Sequence, residues 1–153
     1  MANFRIDFDD SLIRERLRQL GNKTKDITPA LKNIGEYMRM RTEENFKREQ
    51  NPDGEAWAQL SPRTQAQKNK KKNSVNKILQ DTGDLRSSIA YQVDSQSVTI
   101  GTNKVVSNKY SLGAIHQFGA PKRNIPARPF LGVSDVDAQE ILLIVGDHIS
   151  DIV

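Results

Sequence analysis

Residues 110–132 read YSLGAIHQFGAPKRNIPARPFLG, and no other stretch of the chain brings aromatic residues, Gly, Pro and Arg so close together. The first half predicts a short helix, because apolar residues from Tyr110 to Phe118 recur at helical spacing. Gly119 follows directly, at a position where helices commonly end. We therefore expect one helical segment that stops at Gly119.

The second half of this stretch is constrained by two prolines. Pro126 and Pro129 fix their own φ and push the residue before each of them toward extended geometry. We expect a straight segment that places Phe130 and Leu131 in a core and holds Arg128 rigidly. Arg128 then has two interpretations: its planar guanidinium binds a carboxylate or helix C-terminus of a neighbouring subunit, or it bonds carbonyl groups of its own chain.

The composition predicts a single domain over residues 1–153, since a chain of 153 residues can bury a core without covalent staples. There is no cysteine, which excludes disulfides and Cys-based zinc sites. The sequence shows neither an apolar leader at its N-terminus nor an apolar run of membrane-spanning length. We therefore expect neither a secretory signal nor a membrane partner.

The positive charge of the chain is concentrated in one segment. Between Ala56 and Gln80 there are six basic residues and no acidic one, so subtracting this segment from the net charge of +4 leaves −2 for the remainder. Val75 is the one apolar residue between Lys68 and Lys77, so residues 69–78 are predicted to form a flexible loop. This loop either keeps the protein soluble or contacts DNA phosphates without reading sequence. The candidate DNA-facing side chains are Lys68, Lys70, Lys71, Lys72 and Lys77.

Hydrophobic periodicity predicts an α+β fold. Alternating residues indicate a strand at about 3–8 and a hairpin at about 89–100, and helical spacing indicates helices at about 11–20, 28–48, 62–69 and 134–152. Residues 102–109 are polar and are expected to form a loop. The strands are not interleaved with helices as in a parallel sheet. We therefore expect a small antiparallel sheet packed by the long helix and the C-terminal helix.

Two upstream features are candidates for subunit contacts. Residues 39–50 of the long helix are mostly charged, so this half projects beyond the core, meets another subunit, or is a solvated helix face. Trp57, the only tryptophan, is either a core anchor or an interface residue. The candidate interface residues are Arg128, Phe118, Trp57 and Arg41.

Patterns typical of catalysis are lacking in the sequence. His116 and His148 stand far apart, and neither has a histidine four residues away, so metal-ligand spacing is absent. There is no glycine-rich phosphate loop and no serine in a nucleophile elbow. Acidic pairs such as Asp9-Asp10 lack convergent partners for acid–base work. We expect no enzymatic activity, no cofactor and no metal ion.

Four blocks of sequence, in order, resemble the phage virion morphogenesis family, the tail-completion proteins of Mu-like and related long-tailed phages. They are NPDGEAWAQLSP at 51–62, DTGDLRSSI at 81–89, IGTN at 100–103, and HQFG at 116–119 with IPARPFLG at 125–132. Four ordered blocks are more specific than any one of them. The Lys/Asn-rich insertion between Ser61 and Asp81 departs from the family's pattern.

The resemblance implies a non-enzymatic assembly protein of a phage or prophage virion, with a tail-terminator-like fold. Such a protein completes the tail at its head-proximal end and enables head–tail joining, after assembly in the host cytoplasm. Relatives form rings around the DNA channel, often of six subunits. The implied partners are other copies of the chain, the tail tube, head–tail connector proteins and passing DNA. Two alternatives remain: a nucleic-acid-binding accessory protein that acts through the Lys-rich 61–80 arm, and a toxin-like or regulatory prophage product.

Overall fold

The computed structural model describes residues 10–23, 26–72, 76–106 and 110–151. In chain order these form helix α1 (Ser11–Lys23), helix α2 (Thr28–Arg48), helix α3 (Pro62–Lys70), helix α4 (Asp84–Ser87), strand β1 (Ala90–Val93), strand β2 (Val98–Gly101), strand β3 (Val105–Val106), strand β4 (Tyr110–Ser111), helix α5 (Leu112–Phe118) and helix α6 (Asp135–Ser150). The α+β fold class is confirmed. The strand predicted at 3–8 lies outside the described residues.

The chain divides into two compact units. The first, which we call the aliphatic unit, comprises the described residues of Asp7–Met40, Ala90–Ile100 and Val133–Val153. Its buried core consists of Ile13 from α1, Ile34 and Met38 from α2, and Ile141 and Val145 from α6. Val98 and Ile100 of β2 pack against this cluster. The expected packing of a hairpin by the long helix and the C-terminal helix is therefore confirmed.

The hairpin of strands β1 and β2 is closed by a local turn. The N–H of Asp94 donates to the carbonyl of Ser97 at 3.0 Å, and the Asp94 carboxylate accepts the N–H groups of Gln96 and Ser97. Beside the hairpin, Gly35 leaves room on α2 for the ring of Tyr91, which occupies the place of a side chain at that position. The missing Cβ of Gly35 therefore allows the strand to lie close to the helix.

Helix α6 begins with a capping box, as the sequence predicts. The side chain of Ser134 accepts the N–H of Asp137, and the Asp137 carboxylate accepts the N–H of Ser134 at 3.1 Å. The hydroxyl of Tyr37 donates to the same carboxylate at 2.8 Å. Asp137 is almost fully buried. These donors compensate the carboxylate for the water that it loses.

The second unit, which we call the aromatic unit, has its described residues within Arg41–Ile89 and Gly101–Gly132. Its centre is aromatic: the Phe46 ring meets Trp57 edge-on at 5.6 Å and the tilted ring of Phe130 at 5.2 Å between centroids. Phe46 and Phe130 are completely buried. Aromatic pairs in this geometry add to the stabilisation that their buried area provides.

One side of the second half of α2 is buried, while Met40, Lys47 and Arg48 are exposed on the rest of its surface. Thr42, Asn45 and Phe46 are buried, and the Asn45 amide donates to the carbonyl of Phe130 at 3.2 Å. The prediction that residues 39–50 project beyond the core is therefore wrong, and contact of the exposed side with another subunit stays a prediction. Two of these three buried residues are polar. The hydrogen bond from the Asn45 amide N–H compensates that group for the loss of water. Hydrophobic spacing alone does not reveal such a face.

A second, shorter hairpin lies in the region predicted to be a loop. In this hairpin, which belongs to the aromatic unit, Val105 pairs with Ser111 and Val106 with Tyr110 in antiparallel register. The loop prediction is thus wrong for Val105 and Val106. Strands of two residues are too short to show an alternating pattern.

Candidate functional site

The last turn of helix α5 holds residues 125–131, which we call the proline-bracketed segment. The Oε1 atom of Gln117 accepts the N–H groups of Phe130 and Leu131, both at 3.1 Å, and its amide donates to the Leu131 carbonyl at 2.8 Å. The carbonyl of His116 accepts the N–H of Arg128 at 2.7 Å. Phe130 is 0% and Leu131 6% exposed. The expected burial of Phe130 and Leu131 is confirmed.

The turn between α5 and this segment depends on Gly119. Its φ of 77° lies in the left-handed region, and a Cβ there would stand 2.8 Å from the backbone nitrogen of Ala127. Just beyond, Ala120 and Ile125 form an antiparallel bridge. Glycine therefore meets two requirements at once: it permits the backbone angle and it permits the close approach of the two chain segments.

Arg128 bonds carbonyl groups of its own chain. Its Nε donates to the Ala58 carbonyl at 2.7 Å and its Nη2 to the Gln59 carbonyl at 2.9 Å. The residue is 6% exposed, and burial lowers the pKa of the guanidinium. Of the two interpretations of Arg128, the structure supports the one in which it bonds carbonyl groups of its own chain. The assignment of Arg128 to a subunit interface is corrected, because these bonds fix the fork of the guanidinium inside the fold.

Trp57 is a core residue and not an interface residue. It is 4% exposed, and its indole Nε1 donates to the Pro129 carbonyl at 2.7 Å. Together with Arg128 it ties the segment at 57–59 to the proline-bracketed segment. The interface assignment of Trp57 is corrected for this reason: the ring fills the aromatic centre, and its one polar atom has a partner there.

The other two candidate interface residues differ in exposure. Arg41 is half-buried on α2. Phe118, at the end of α5, is 54% exposed, which is unusual for so large an apolar side chain. Tyr110 is 46% exposed and lies under the guanidinium of Arg123, 4.7 Å from the ring centroid. Phe118 therefore remains a candidate for contact with a partner.

Three of the five candidate DNA-facing lysines contact their own chain. The ammonium of Lys68 donates to the Lys77 carbonyl at 2.6 Å, and the ammonium of Lys77 donates to the Lys47 carbonyl at 3.0 Å. Lys71 is ion-paired with Asp81 at 2.7 Å. Burial lowers the pKa of Lys68, against smaller opposing effects of nearby carboxylates. These lysines help to fix the segment that follows α3.

The remaining two lysines of this set, Lys70 and Lys72, are exposed. Helix α3 extends to Lys70, so it includes the first two residues of the predicted loop at 69–78. Residues 73–75 lie outside the described residues, and flexibility of the loop stays a prediction. The contacts of Lys68, Lys71 and Lys77 reduce the side chains available for DNA chiefly to Lys70 and Lys72.

A cleft of about 620 Å³ opens within the aromatic unit. Its lining includes Leu60 and Ser61, the turn at 81–85, and the side chains of His116, Pro126 and Arg128. Three of the four blocks that resemble the phage family thus meet at one cleft. The acids at its edge are paired: Asp81 with Lys71, and Asp84 with Lys104 at 3.0 Å. The hydrogen bond from Lys104 lowers the pKa of Asp84.

His116 presents an uncharged imidazole to this cleft. Burial lowers its pKa from 6.5 to about 4, and the positive charge of Arg128 adds to this effect. Its Nδ1 is buried and has no hydrogen-bond partner among the described residues. A group with a pKa near 4 transfers protons poorly at neutral pH, and the neighbouring carboxylates are held in ion pairs.

Several residues that build this site carried no signal in the sequence. Gln117 makes three hydrogen bonds to the proline-bracketed segment, yet its polar side chain merely interrupts an apolar pattern. Gln80 donates to the Phe46 carbonyl at 2.8 Å while buried. Their partners lie 13 to 34 residues away in the chain. Local spacing could not have identified them.

Among the residues that the structure describes, no group of three or more His, Cys, Asp or Glu is placed to hold a metal ion. In the same part of the chain, no helix combines the length and apolar character needed to cross a membrane.

The structure is that of a small α+β protein with a cleft whose acidic edge residues Asp81 and Asp84 are ion-paired. Residues 8–150 match a family model described as the phage virion morphogenesis family. Because this match covers most of the chain, the protein belongs to the phage virion morphogenesis family, which confirms the resemblance of its four sequence blocks. Membership supports a structural or assembly role in the making of a phage particle.

The chain is similar to the Mu-like prophage FluMu G protein 2 of Haemophilus influenzae. The two sequences are 29% identical over 141 residues, which span 89% of this chain and 88% of the relative. No solved structure matches the chain.

Proposed function

We propose that this protein completes the phage tail at its head-proximal end and enables the filled head to join, as a ring of identical subunits around the DNA channel. It acts by binding and not by catalysis, and it stays in the virion. The observation that carries this proposal is the family match over residues 8–150, together with a Mu-like prophage relative that aligns along nearly its whole length. The partners are other copies of the chain, the tail tube and the head–tail connector.

The aromatic unit supports this proposal with a rigid surface. Hydrogen bonds of Gln117, Arg128 and Trp57 fix the proline-bracketed segment. A surface that is already ordered loses little conformational entropy when a partner binds. Phe118 is exposed near the end of this framework, and a large apolar side chain is a typical anchor at a protein interface.

The decisive experiment removes the gene from a phage that encodes this protein. We expect filled heads and tails that accumulate separately, and tails of irregular length or with an unfinished head-proximal end, in electron micrographs. Supplying the wild-type chain from a plasmid restores joined particles. Joined particles of normal yield and infectivity without the gene would reject the proposal.

Phe118 provides a test of the surface. Phe118→Ser removes the exposed apolar anchor and should reduce incorporation into tails, while the free chain keeps its melting temperature because the side chain lies outside the core. Met40→Ser is the matched control, since Met40 is also exposed, at 58%, on another part of the chain. Equal incorporation of both variants would exclude Phe118 from the tail contact.

Contact with passing DNA is a narrower part of the same proposal. Lys70 and Lys72 are exposed, and several copies in a ring would multiply their charge. The variant with Lys70→Gln and Lys72→Gln should fold normally and enter tails, but join heads less well. Weak DNA binding by the wild-type chain should disappear at a few hundred millimolar salt because counterion release drives it. Normal joining combined with loss of a separate DNA-linked activity would favour the accessory nucleic-acid-binding alternative.

A further inference from the structure

The outward face of α6 is both apolar and acidic. Val136 is 67% and Leu143 61% exposed, and residues seven apart lie on the same side of a helix. Glu140 and Asp147 follow them by one turn each and are exposed on this side as well, opposite the core residues of α6. From Gly132 to Val153 the sequence contains five acidic residues and no Lys or Arg. We call Val136, Glu140, Leu143 and Asp147 the acidic face.

The outward face of α3 is basic. Arg63 and Lys70 are exposed and lie seven residues apart, so their side chains leave the same side of the helix. Ala66 and Gln67 are exposed between them, and no residue of α3 is buried. Lys68, whose ammonium bonds carbonyl groups of its own chain, lies on the other side. We call Arg63, Ala66, Gln67 and Lys70 the basic face.

The charges of both faces lack opposite charges within the chain. The ion pairs among the residues that the structure describes include none of the four charged residues of these faces. From Ala56 to Gln80 the sequence contains no acidic residue. Of the helices in the described part of the chain, α3 alone contains Lys or Arg without Asp or Glu. The basic face of α3 is therefore the helix surface whose charge complements the acidic face.

The spacing of the charges also matches. Each face carries two charges seven residues apart, which is about 10.5 Å along a helix axis at a rise of about 1.5 Å per residue. Two helices lying side by side can therefore form both ion pairs at once. The acidic pair flanks Leu143, and the basic pair flanks the small side chain of Ala66. The aliphatic stems of Arg and Lys cover apolar surface beside their charges, so the basic face also suits the exposed apolar residues of α6.

We propose that the acidic face of one copy binds the basic face of the next copy. This inference rests on the proposed function, for which it names the contact between subunits. Two different faces meet, so the contact is head-to-tail, and head-to-tail contacts close into rings when the rotation between copies allows it. Opposite charges at matched spacing fix the register of the two helices.

Charge also argues against other occupants of the acidic face. A symmetric contact between two α6 helices would set carboxylates against carboxylates, since no Lys or Arg lies between Gly132 and Val153. Nucleic acid would be repelled for the same reason. Helix α1 is exposed too, but its arginines are mixed with the exposed carboxylate of Glu15. A helix face with basic and no acidic residues is the complementary partner, and α3 presents one in every copy.

The test is a charge swap in the full chain. The first variant carries Arg63→Glu and Lys70→Glu; the second carries Glu140→Lys and Asp147→Lys. Each alone sets like charges against each other at every contact, so its dissociation constant for self-association, measured by mass photometry, should rise at least about tenfold. An equimolar mixture should regain assembly with both variants in equal numbers, and the chain carrying all four substitutions should assemble by itself.

The matched control carries Arg16→Glu and Lys122→Glu, which change the charge by the same amount as the first variant at exposed positions outside α3 and α6. It should associate like the wild type. Wild-type association of the two single-face variants would overturn the inference, and so would a mixture that fails to assemble although both variants keep the wild-type melting temperature.

The contact with DNA is kept apart from this test. The second variant leaves every lysine of the 61–80 arm unchanged, so a defect of that variant cannot come from lost DNA contact. Conversely, Lys70→Gln removes one of two ion pairs and sets no like charges together. Because a single exposed ion pair contributes little, the variant with Lys70→Gln and Lys72→Gln should still enter tails.

The same charge-swap variants are also scored by complementation of the gene deletion, which decides the matter even if the wild-type chain assembles only on tails. We expect each variant to fail alone and the pair to restore joined particles together. Full complementation by each variant alone would reject this contact and leave the proposed function intact. Normal particles in the deletion itself would reject the proposed function instead.

Discussion

The two compact units have cores of different chemistry. The aliphatic unit is centred on Ile13, Ile34, Met38, Ile141 and Val145, none of which has a polar side-chain group. In the aromatic unit three aromatic rings are surrounded by buried polar side chains that bond the main chain: Asn45, Gln80, Gln117 and Arg128. The first core depends on burial, which has no direction. The second depends on hydrogen bonds, which fix orientation.

This difference matters for function. Helices α1 and α6 bury an aliphatic face in the core, so their core residues can change as long as volume and pattern are kept. The aromatic unit must hold an irregular, proline-containing segment in one conformation. Directional bonds from Gln117 and Arg128 do this where no regular strand pairing is available.

The largest effect should come from the centre of the aromatic unit. Phe130→Ala removes a fully buried ring that contacts Phe46 and leaves a cavity, at a cost of about 3–5 kcal/mol in the free energy of unfolding. Chemical denaturation monitored by Trp57 fluorescence measures it directly. A cost no greater than that of an exposed substitution would show that this core does not carry the stability of the unit.

The next effect separates directional from non-directional packing. Gln117→Met keeps the approximate volume of the side chain but leaves the N–H groups of Phe130 and Leu131 without their acceptor. We expect a loss of about 3 kcal/mol, since unsatisfied buried groups cost about 1–3 kcal/mol each. Urea unfolding gives the value. Stability like that of the wild type would mean that packing, and not hydrogen bonding, fixes the segment.

A pH titration sharpens the comparison further, because the aromatic unit contains His116, whose pKa is lowered by burial. Its folded pKa of about 4 lies below the ordinary value of 6.5. Between these values the unfolded chain binds a proton that the folded chain does not, so stability should fall as the pH is lowered from 6.5 to 4. His116→Asn should flatten this part of the stability profile. Parallel profiles for the two proteins would place the pH dependence elsewhere.

The smallest effect is expected in the aliphatic unit. Met38→Leu keeps the approximate volume and the apolar character of a buried side chain, so it should cost less than about 1.5 kcal/mol. The free energy of unfolding of this variant is compared with that of Gln117→Met under the same conditions. A loss as large as that of Gln117→Met would show that the aliphatic core is as specific as the aromatic one.

The sequence by itself determined the elements whose signals are local. The bounds of α2, the capping box of α6, the first hairpin and the end of α5 at Gly119 all follow from spacing, capping residues and turn chemistry. The extended segment before Phe130 follows from the fixed φ of two prolines. The family was also recognisable, because its blocks are short, ordered and specific.

Only the tertiary structure decided what the polar residues do. Arg128 and Trp57 have the composition of interface residues, yet their partners are carbonyl groups of the same chain, up to 72 residues away. The buried side of the second half of α2 cannot be recognised from apolar spacing, because Thr42 and Asn45 are polar. Periodicity reports which side of an element is apolar, whereas a hydrogen bond to a distant carbonyl depends on where the chain returns. The packing of the whole fold brings the distant segment beside its partner, and no local sequence pattern encodes that contact.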